Sequence, residues 1–410
     1  MKKIRYSPVI LLLLISFLLD LYVYQGIKKL AERLDYAFLA TNFYWLISLT
    51  VLFSFVYLLS KVVKTREFSR LFKISFNVFI TLFVTKLVFM AALLGEDVYR
   101  LASAIFYGIF NTDFILPERS LWISRTALIL SSIPFFAFVF GITLGKYNYK
   151  IRKTILHFED LPDDFDGFTI VQISDIHAGS FDNIKSVQKG IDLIQSLNPD
   201  LFVFTGDMVN NKATEIVPYL EMFKNIKSRF GKYSVLGNHD YGDYFNWKNP
   251  AEKSENLKLL MQYHSQLEFN LLLDQHIAII KGKSQIFLVG VENWGKGFGS
   301  RGDLQKALTG IKTDAFKVLL SHDPSHWDAQ VKLNSSKIHL TLSGHTHGMQ
   351  FGIEIGKFKW SPVKYRYPNW AGIARENNRY LYVNRGFGFI GFAGRIGIWP
   401  EITHITLRKK

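Results

Sequence analysis

Four long runs of apolar residues, separated by shorter polar segments, dominate the first 150 residues. The runs lie at about residues 9–24, 43–59, 76–94 and 126–144. Each is close to the roughly 20 residues that a helix needs to cross the hydrocarbon core of a membrane. The first run alone would also fit a signal peptide, but no small-residue cleavage site follows it and three more runs come after. We therefore predict an all-α transmembrane domain of four helices over residues 1–150.

The pattern changes after this region, where short β-branched runs alternate with polar helical stretches. Residues 146–168 end in a turn-rich stretch and are expected to form a linker. Phe168–Ile173 and Leu201–Phe204 are typical of buried strands, and a helical pattern covers about Ile184–Leu197 between them. More closely spaced strands are predicted further on: Tyr233–Leu236, Ile277–Ile280, Gln285–Val291, Val318–Leu320 and Ile338–Leu342. This order predicts a second domain of the α/β class over residues 151–410.

The charge of the chain bears on its membrane topology. The net charge is +15, and residues 1–150 hold 17 Lys and Arg against 8 Asp and Glu. Basic residues cluster at the N-terminus, after the second run and after the fourth run: Lys2, Lys3, Arg5; Lys61, Lys64, Arg66, Arg70, Lys73; Lys146, Lys150, Arg152, Lys153. The predicted loop of residues 95–120 is more acidic, with Glu96, Asp97, Asp113 and Glu118 against Arg100 and Arg119, although Lys28, Lys29 and Arg33 in the first loop weaken the contrast. We therefore expect a multi-pass integral membrane protein with its C-terminal domain in the cytoplasm and in contact with membrane lipids, whereas the weak basicity of the second domain disfavours extended nucleic acid as a partner.

Two ionisable residues fall within the predicted spans. Asp20 lies in the first span and Lys86 near the middle of the third. Because charges in lipid are costly and usually face a partner, one hypothesis pairs Asp20 with Lys86 inside the helix bundle. In the alternative, Asp20 lies at the membrane interface, and the long Lys86 side chain extends to the interface without forming a pair inside the bundle.

Polar residues of the kinds that bind metals follow several predicted strands of the second domain. Five short clusters occur in order: Asp175-Ile176-His177, Gly206-Asp207-Met208-Val209-Asn210, Gly237-Asn238-His239-Asp240, Ser321-His322-Asp323 and Gly344-His345-Thr346-His347. In an extended segment, Asp175 and His177 would point to the same side. Since the chain has no cysteine, thiolate sites are excluded, and the mixture of carboxylate, amide and imidazole suits divalent Mn²⁺, Fe²⁺ or Zn²⁺.

The ordered set D-x-H, G-D-x-x-N, G-N-H-D, a lone His and G-H-T-H over about residues 168–405 resembles the calcineurin-like metallophosphoesterase family. Within it the chain looks most like a membrane-associated, YkuE-like branch. That closer likeness rests on four segments: Phe165-Asp166-Gly167, Leu319–Pro324, Asn384–Gly388 and Trp399–Ile402. The resemblance implies a two-sheet β-sandwich flanked by helices, with the metal site on loops at one edge.

The resemblance also implies a role for each matching residue. Asp175, His177 and His347 would hold a first metal ion, Asn238, His322 and His345 a second, and Asp207 would bridge the two. His239 would lie over the substrate phosphate as a catalytic residue, and Asp240 could orient it. Hydroxide shared by the two cations would attack phosphorus, and His239 would assist the leaving oxygen. Met349 departs from the family pattern, which usually has Gly before Gln350, and is expected to reshape the mouth of the pocket.

The substrate is less tightly constrained by the sequence. Tethering to a membrane favours a lipid-linked phosphate ester or pyrophosphate. A general nucleotide phosphodiesterase and a non-catalytic membrane sensor or scaffold are the alternatives. Aromatic residues in Gly-rich segments either insert into the membrane interface or belong to the core: Trp294, Phe298, Phe387, Phe389 and Phe392. Arg385 and Arg395 either contact phosphate or are ordinary surface charges, and the histidines outside the clusters are expected to be surface or core residues.

Overall fold

A computed structural model describes residues 7–65, 69–111, 114–356 and 358–410. The chain forms two compact units, Met1–Ile142 and Thr143–Lys410. Some charges used for the topology prediction lie outside the described residues, namely Lys2, Lys3, Arg5, Arg66, Glu67 and Asp113.

The first unit consists of four long apolar helices, which confirms the predicted all-α region. The helices are α1 (Ser7–Ala31), α2 (Ala37–Thr65), α3 (Arg70–Asn111) and α4 (Leu121–Thr143). Each contains a segment long and apolar enough to cross a membrane. All four begin before or end beyond the apolar runs, because polar residues at their ends continue the helical hydrogen bonding.

Helix α3 overturns the predicted loop for residues 95–111, whereas residues 114–120 do form a connection without helix or strand. It has 42 residues and would be about 63 Å long at 1.5 Å per residue. Glu96 and Asp97 lie inside it and pair with Arg119, at 2.7 Å and 2.8 Å between the guanidinium nitrogens and carboxylate oxygens. The acidic residues therefore belong to a helix that extends past the apolar run.

The ion pair between Asp20 and Lys86 is present inside the helical unit. Lys86 Nζ lies 2.5 Å from Asp20 Oδ1, and the two side chains are only 15% and 5% exposed. The Tyr44 hydroxyl donates a hydrogen bond to the same carboxylate oxygen at 2.8 Å, and Lys86 donates to Ser48 Oγ at 2.9 Å. The structure thus confirms the paired hypothesis rather than the interfacial one.

The second unit contains two six-stranded sheets and one two-stranded hairpin. Its strands are β1 (Lys150–Phe158), β2 (Thr169–Ile173), β3 (Leu201–Phe204), β4 (Lys232–Ser234), β5 (Phe269–Leu271), β6 (Gln275–Lys281), β7 (Ser284–Gly290), β8 (Lys317–Leu320), β9 (Leu340–Ser343), β10 (Ile353–Ile355), β11 (Phe358–Trp360), β12 (Gly372–Glu376), β13 (Arg379–Val383) and β14 (Glu401–Lys409). Its helices are α5 (Ile184–Ser196), α6 (Leu220–Lys224), α7 (Pro250–Gln266) and α8 (Leu304–Leu308). The first sheet has the order β1-β14-β2-β3-β4-β5, the second β12-β13-β9-β8-β7-β6, and β10 pairs with β11.

The two large sheets pack face to face, with helices on their outer faces. Ile170 and Val203 of the first sheet share one buried cluster with Val318 and Leu342 of the second. A separate cluster joins the outer face of the first sheet to α5, α6 and α7, and another joins the second sheet to α8. This arrangement confirms the predicted sandwich flanked by helices.

The predicted linker is wrong for residues 150–158. Lys150–Phe158 form strand β1, which pairs in parallel with β14 along nine residues. Alternate residues of β1 toward its end, Leu156 and Phe158, are buried in the core between the sheets. The strand was missed because only its last few positions alternate clearly between buried and exposed.

Candidate metal centre

The predicted ligands lie on loops that leave neighbouring strands. Strands β2, β3 and β4 are parallel neighbours in one sheet, and β8 and β9 are parallel neighbours in the other. The carboxyl ends of parallel strands meet at the same edge of a sheet. The loops after these five strands therefore bring together residues that are as much as 172 positions apart, from Asp175 to His347.

The backbone at these ligands is not extended as predicted for Asp175 and His177. Both residues are in the left-handed region, with φ of 54° and 46°. Three further predicted ligands share this conformation: Asp207 at 62°, His345 at 69° and His347 at 51°. Each such non-glycine residue costs on the order of 1–3 kcal/mol. The packed sheets beneath must therefore hold five side chains in turns that those residues do not favour alone.

Two of the glycines in the motifs are required by close approach. A Cβ on Gly237 would lie 2.2 Å from Asp207 Oδ1, and one on Gly344 would lie 1.9 Å from Ser174 Oγ. Any larger residue would push Asp207 or the segment before Asp175 out of place. Gly237 thus allows two loops of the first sheet to touch, and Gly344 allows loops of the two sheets to touch.

Asp175, His177 and His347 form the first of two clusters that could hold a metal ion. The Nε2 atoms of the two histidines are 3.0 Å apart, and His347 Nε2 is 3.1 Å from Asp175 Oδ1. All three side chains are buried. If two imidazoles bind the same ion, with metal–nitrogen distances of about 2.1 Å and a right angle at the ion, their nitrogens lie about 3.0 Å apart. The spacing of the two Nε2 atoms therefore suits a shared ion.

Asp207, His322 and His345 form the second cluster, and Asn238 joins it. His345 Nδ1 lies 2.9 Å from Asn238 Oδ1, and Asp207 Oδ2 lies 3.2 Å from His322 Nε2. The same Asp207 oxygen is 3.5 Å from His177 Nε2 of the first cluster. Asp207 therefore lies between the two clusters, where a bridging carboxylate would have to be.

The donor set fits divalent cations. His322 Nδ1 contacts the carbonyl oxygen of Thr205 at 2.7 Å, which fixes the proton there and leaves Nε2 free to bind a metal. Nε2 of His322 is buried and has no hydrogen-bond partner among the described residues, despite its nearness to Asp207. A buried imidazole nitrogen facing a carboxylate without hydrogen-bond geometry is an atom that a metal ion would satisfy.

Buried negative charge dominates the electrostatics of the site. Burial alone would raise the pKa of Asp207, but the neighbouring His322 and His239 hold it well below its usual range. Burial opposes the charged form of His322 as well, yet Asp207 raises its pKa to about 10. Carboxylates that draw a proton onto a buried histidine would attract a divalent cation, which displaces that proton.

His239 and Asp240 are placed differently from each other. His239 Nδ1 contacts the carbonyl oxygen of Asn210 at 2.8 Å, and its backbone N–H donates to Asp207 Oδ1 at 2.9 Å. Asp240 instead accepts hydrogen bonds from backbone N–H groups of residues 207–209 and 237. Burial, followed by the charge of Asp207, raises the pKa of Asp240 to about 7. Asn210, rather than Asp240 as expected, orients the His239 ring.

Sequence reasoning missed the residues that support His345. The Tyr367 hydroxyl lies 3.0 Å from His345 Nε2 and donates to Asp323 Oδ2 at 3.2 Å. This contact directs the opposite ring atom, Nδ1, toward Asn238. Phe298 covers the same ring edge to face, with centroids 4.6 Å apart. Tyr367 belongs to no motif, so nothing in the sequence distinguished it.

The structure corrects the prediction for the two arginines. Both alternatives, a phosphate contact and a surface charge, are wrong because Arg385 and Arg395 are buried and their donors are occupied. Arg385 pairs with Glu354 and Glu401, while Arg395 donates to the carbonyl oxygens of residues 385, 386 and 388. Both hold the loops around the site in place.

Among the aromatic residues, the core alternative is correct for Phe387 and Phe389, which are 0% and 1% exposed. Phe387 stacks on Tyr149. His264, His326 and His339, outside the clusters, are fully buried, as the core interpretation expects.

Comparisons with known proteins agree with this architecture. Residues 5–146 match the profile of a probable calcineurin-like phosphoesterase transmembrane domain, and residues 168–349 match that of calcineurin-like phosphoesterases. The chain is 31% identical to the uncharacterised metallophosphoesterase YkuE of Bacillus subtilis over 60% of this chain and 82% of YkuE.

Two further relatives differ more in length or sequence. The chain is 29% identical to a transmembrane protein with metallophosphoesterase domain from Danio rerio, over 66% of this chain and 60% of that protein's length. It is 25% identical to the UDP-2,3-diacylglucosamine pyrophosphatase LpxG of Chlamydia trachomatis, over 60% of this chain and 84% of that protein. The chain thus belongs to the calcineurin-like metallophosphoesterases, metal-dependent hydrolases of phosphate esters, and carries that domain behind four membrane helices.

Proposed function

We propose that this protein uses two divalent ions to hydrolyse a phosphate ester or pyrophosphate bond in a lipid-linked substrate. The observation that carries the proposal is the position of Asp207 Oδ2, within 3.5 Å of a histidine nitrogen from each ligand cluster. A carboxylate shared in this way fits two ions close together rather than one. The ions would be Mn²⁺, Fe²⁺ or Zn²⁺, which accept this mixture of ligands.

The protein residues divide the work around the reacting phosphate. Bound divalent ions would neutralise the charge of the phosphate and lower the pKa of a water molecule. The Asn210 carbonyl occupies Nδ1 of His239, which leaves Nε2 to contact the substrate. It can therefore stabilise a phosphate oxygen or protonate the leaving oxygen. Asn238 is held by a hydrogen bond from its side-chain nitrogen to the Tyr244 hydroxyl at 2.9 Å, which keeps its oxygen directed at the second cluster.

Two observations support a lipid-linked substrate. Four apolar helices tether the hydrolase to a membrane, where lipid phosphates have a high effective concentration. One relative is a pyrophosphatase of a nucleotide-linked diacyl sugar, according to its name, at 25% identity. We place the hydrolase domain in the cytoplasm because Lys61, Lys64, Arg70 and Lys73 flank the loop between α2 and α3. Protease access to this domain in sealed vesicles of known orientation tests the placement. Inside-out vesicles expose the cytoplasmic face, so protection of the domain in them would put it on the opposite side of the membrane.

The substrate is identified by a screen of the purified full-length protein in detergent with added Mn²⁺. Lipid phosphates, nucleotide-linked lipid sugars and cyclic nucleotides are compared as substrates. We expect turnover of a lipid-linked phosphate or pyrophosphate, whereas turnover of cyclic nucleotides alone would indicate a general nucleotide phosphodiesterase. Asp207→Asn should lower turnover by more than about 100-fold, because changes outside the ligand set alone cost about 10–100-fold. The exposed Asp192→Asn in α5 is the matched control and should retain activity.

A further inference from the structure

The β10–β11 hairpin turns its apolar face outward, and Glu354 on its polar face points inward. In this pairing Ile353 lies opposite Trp360, and Ile355 opposite Phe358, so these side chains share one face. Ile353, Ile355 and Phe358 are 47%, 73% and 62% exposed. The other face carries Glu354 opposite Lys359. In soluble domains the apolar face of a sheet normally packs on the core and the polar face points to solvent.

The polar face is fixed to the body of the domain by ion pairs. The Glu354 side chain is 11% exposed and pairs with both Arg152 and the buried Arg385. The Arg385 Nε–H donates to Glu354 Oε1 at 3.0 Å. Lys359 donates to the carbonyl oxygen of Ala371. The outward position of the apolar face is therefore built into the fold and is not the result of a loose hairpin.

The apolar face continues toward the metal centre. Met349 is 59% exposed and Phe351 is 37% exposed, and they follow His347 by two and four residues. Met349 is held at φ 54°, a conformation that glycine adopts without strain and methionine does not. An exposed methionine at this position costs stability without contributing to the core. We call Met349, Phe351, Ile353, Ile355 and Phe358 the apolar rim.

The surroundings of the apolar rim resemble those of a membrane-binding surface. The exposed Tyr365 (78%) lies between the exposed cations Lys364 and Arg366. Aromatic and aliphatic residues beside basic ones are typical of surfaces that enter the headgroup region of anionic membranes. The four candidate membrane helices belong to the same chain and would keep this domain at such a membrane.

We propose that the apolar rim inserts into the surface of the lipid bilayer and that this docking presents lipid phosphates to the metal centre. The apolar rim would contact the hydrocarbon boundary of the membrane itself. Exposed apolar patches mark protein or membrane contacts, and the neighbouring Lys364 and Arg366 favour an anionic membrane. The proposal deepens the proposed function and rests on it for the role of the presented phosphate. Docking itself is independent of which bond is cleaved.

Docking is tested by spin labels on the full-length protein in nanodiscs of phosphatidylethanolamine and phosphatidylglycerol. The chain has no cysteine, so Ile355→Cys and Leu333→Cys each provide one labelling site. Leu333 is 74% exposed, which matches Ile355, and lies outside the apolar rim. We expect the label at 355 to collide severalfold more with oxygen and severalfold less with a water-soluble nickel complex than the label at 333. Equal, water-like accessibility at both sites would overturn the proposal. A label at 355 shielded from both reagents would also overturn it and would indicate a protein partner or a second copy.

A kinetic measurement separates docking from the chemistry. The double variant Ile355→Ser/Phe358→Ser should lower kcat/KM for a phosphate ester embedded in vesicles by about tenfold. Its kcat/KM for a water-soluble phosphodiester should stay unchanged, as should both values in the control Leu333→Ser. Equal losses on both substrates would contradict docking. An embedded label with no turnover of lipid-linked esters would leave docking intact and refute the proposed function alone.

Discussion

The replacement Asp240→Asn isolates what a buried carboxylate contributes to the loop around Asp207. Asp240 Oδ2 accepts hydrogen bonds from the backbone N–H groups of Asp207 and Gly237 at 2.9 Å and 2.8 Å. Asp240 Oδ1 accepts from the backbone N–H groups of Met208 and Val209 at 2.8 Å and 3.3 Å. Asparagine replaces one oxygen by an NH₂ group, so either rotamer leaves two buried N–H groups facing a donor. Each unsatisfied group costs about 1–3 kcal/mol, which gives a loss of about 2–6 kcal/mol in the free energy of unfolding.

This loss is measured by thermal unfolding of the full-length protein in detergent, together with its metal content. A domain of this size loses about 2–4 °C in Tm per kcal/mol, so we expect a decrease of about 5–20 °C and weaker metal binding. Asp243→Asn is the matched control: its carboxylate is 34% exposed in ion pairs with Lys253 and Arg301, which contribute about 0–1 kcal/mol. An Asp240→Asn protein with normal Tm and metal content but no turnover would refute this reasoning, because Asp240 would then act on the reaction.

Three further predictions follow from individual contacts. Tyr367→Phe removes the hydroxyl beside His345 Nε2 and should weaken metal binding by about 10–100-fold; metal titration with unchanged affinity would dismiss the positioning role. Burial lowers the pKa of His264 to about 3, so the unfolded chain binds the proton first as pH falls below 6.5, and stability is lost on acidification. The loss is about 2 kcal/mol between pH 6.5 and pH 5, and unfolding curves of His264→Phe should lack this part of the pH dependence; parallel curves for the two proteins would contradict it. Lys86→Leu leaves Asp20 buried without its cation and should destabilise the helical unit by about 3–5 kcal/mol, whereas Asp20→Asn combined with Lys86→Leu should recover part of that loss; a single variant as resistant to detergent unfolding as the unaltered protein would exclude a role for the pair.

The parts of the fold that were predictable are those specified by local sequence. Leu201–Phe204 is a continuous apolar run and forms strand β3 over the same four residues. The helix predicted at 184–197 ends one residue earlier, and Asn183 caps its start by accepting from the backbone N–H of Ser186. The apolar runs of the first unit likewise predicted four helices. Each of these signals lies within the element itself.

The missed features depend on contacts between distant residues. No pattern in residues 150–158 indicates that they pair with residues 401–409. Phe387 and Phe389 lie among glycines, which suggested a flexible loop, yet Phe387 packs on Tyr149 and Phe223 in the core. The left-handed backbone at Asp175 and His177 could not be predicted either, because few non-glycine residues adopt it, even though Asp and His do so more often than most. Only the assembled sheets impose that conformation.

The position of β14 has a consequence for how the protein is made. This strand lies between β1 and β2, which are neighbours in sequence but not in the sheet. During synthesis on the ribosome, β1 emerges directly after the last membrane helix and has no partner until residues 401–409 have been translated. The edge of β2 also stays open for that time, and unpaired edges of this kind are prone to aggregation. We therefore expect nascent chains of this hydrolase to aggregate less when that gap is protected until residues 401–409 have emerged.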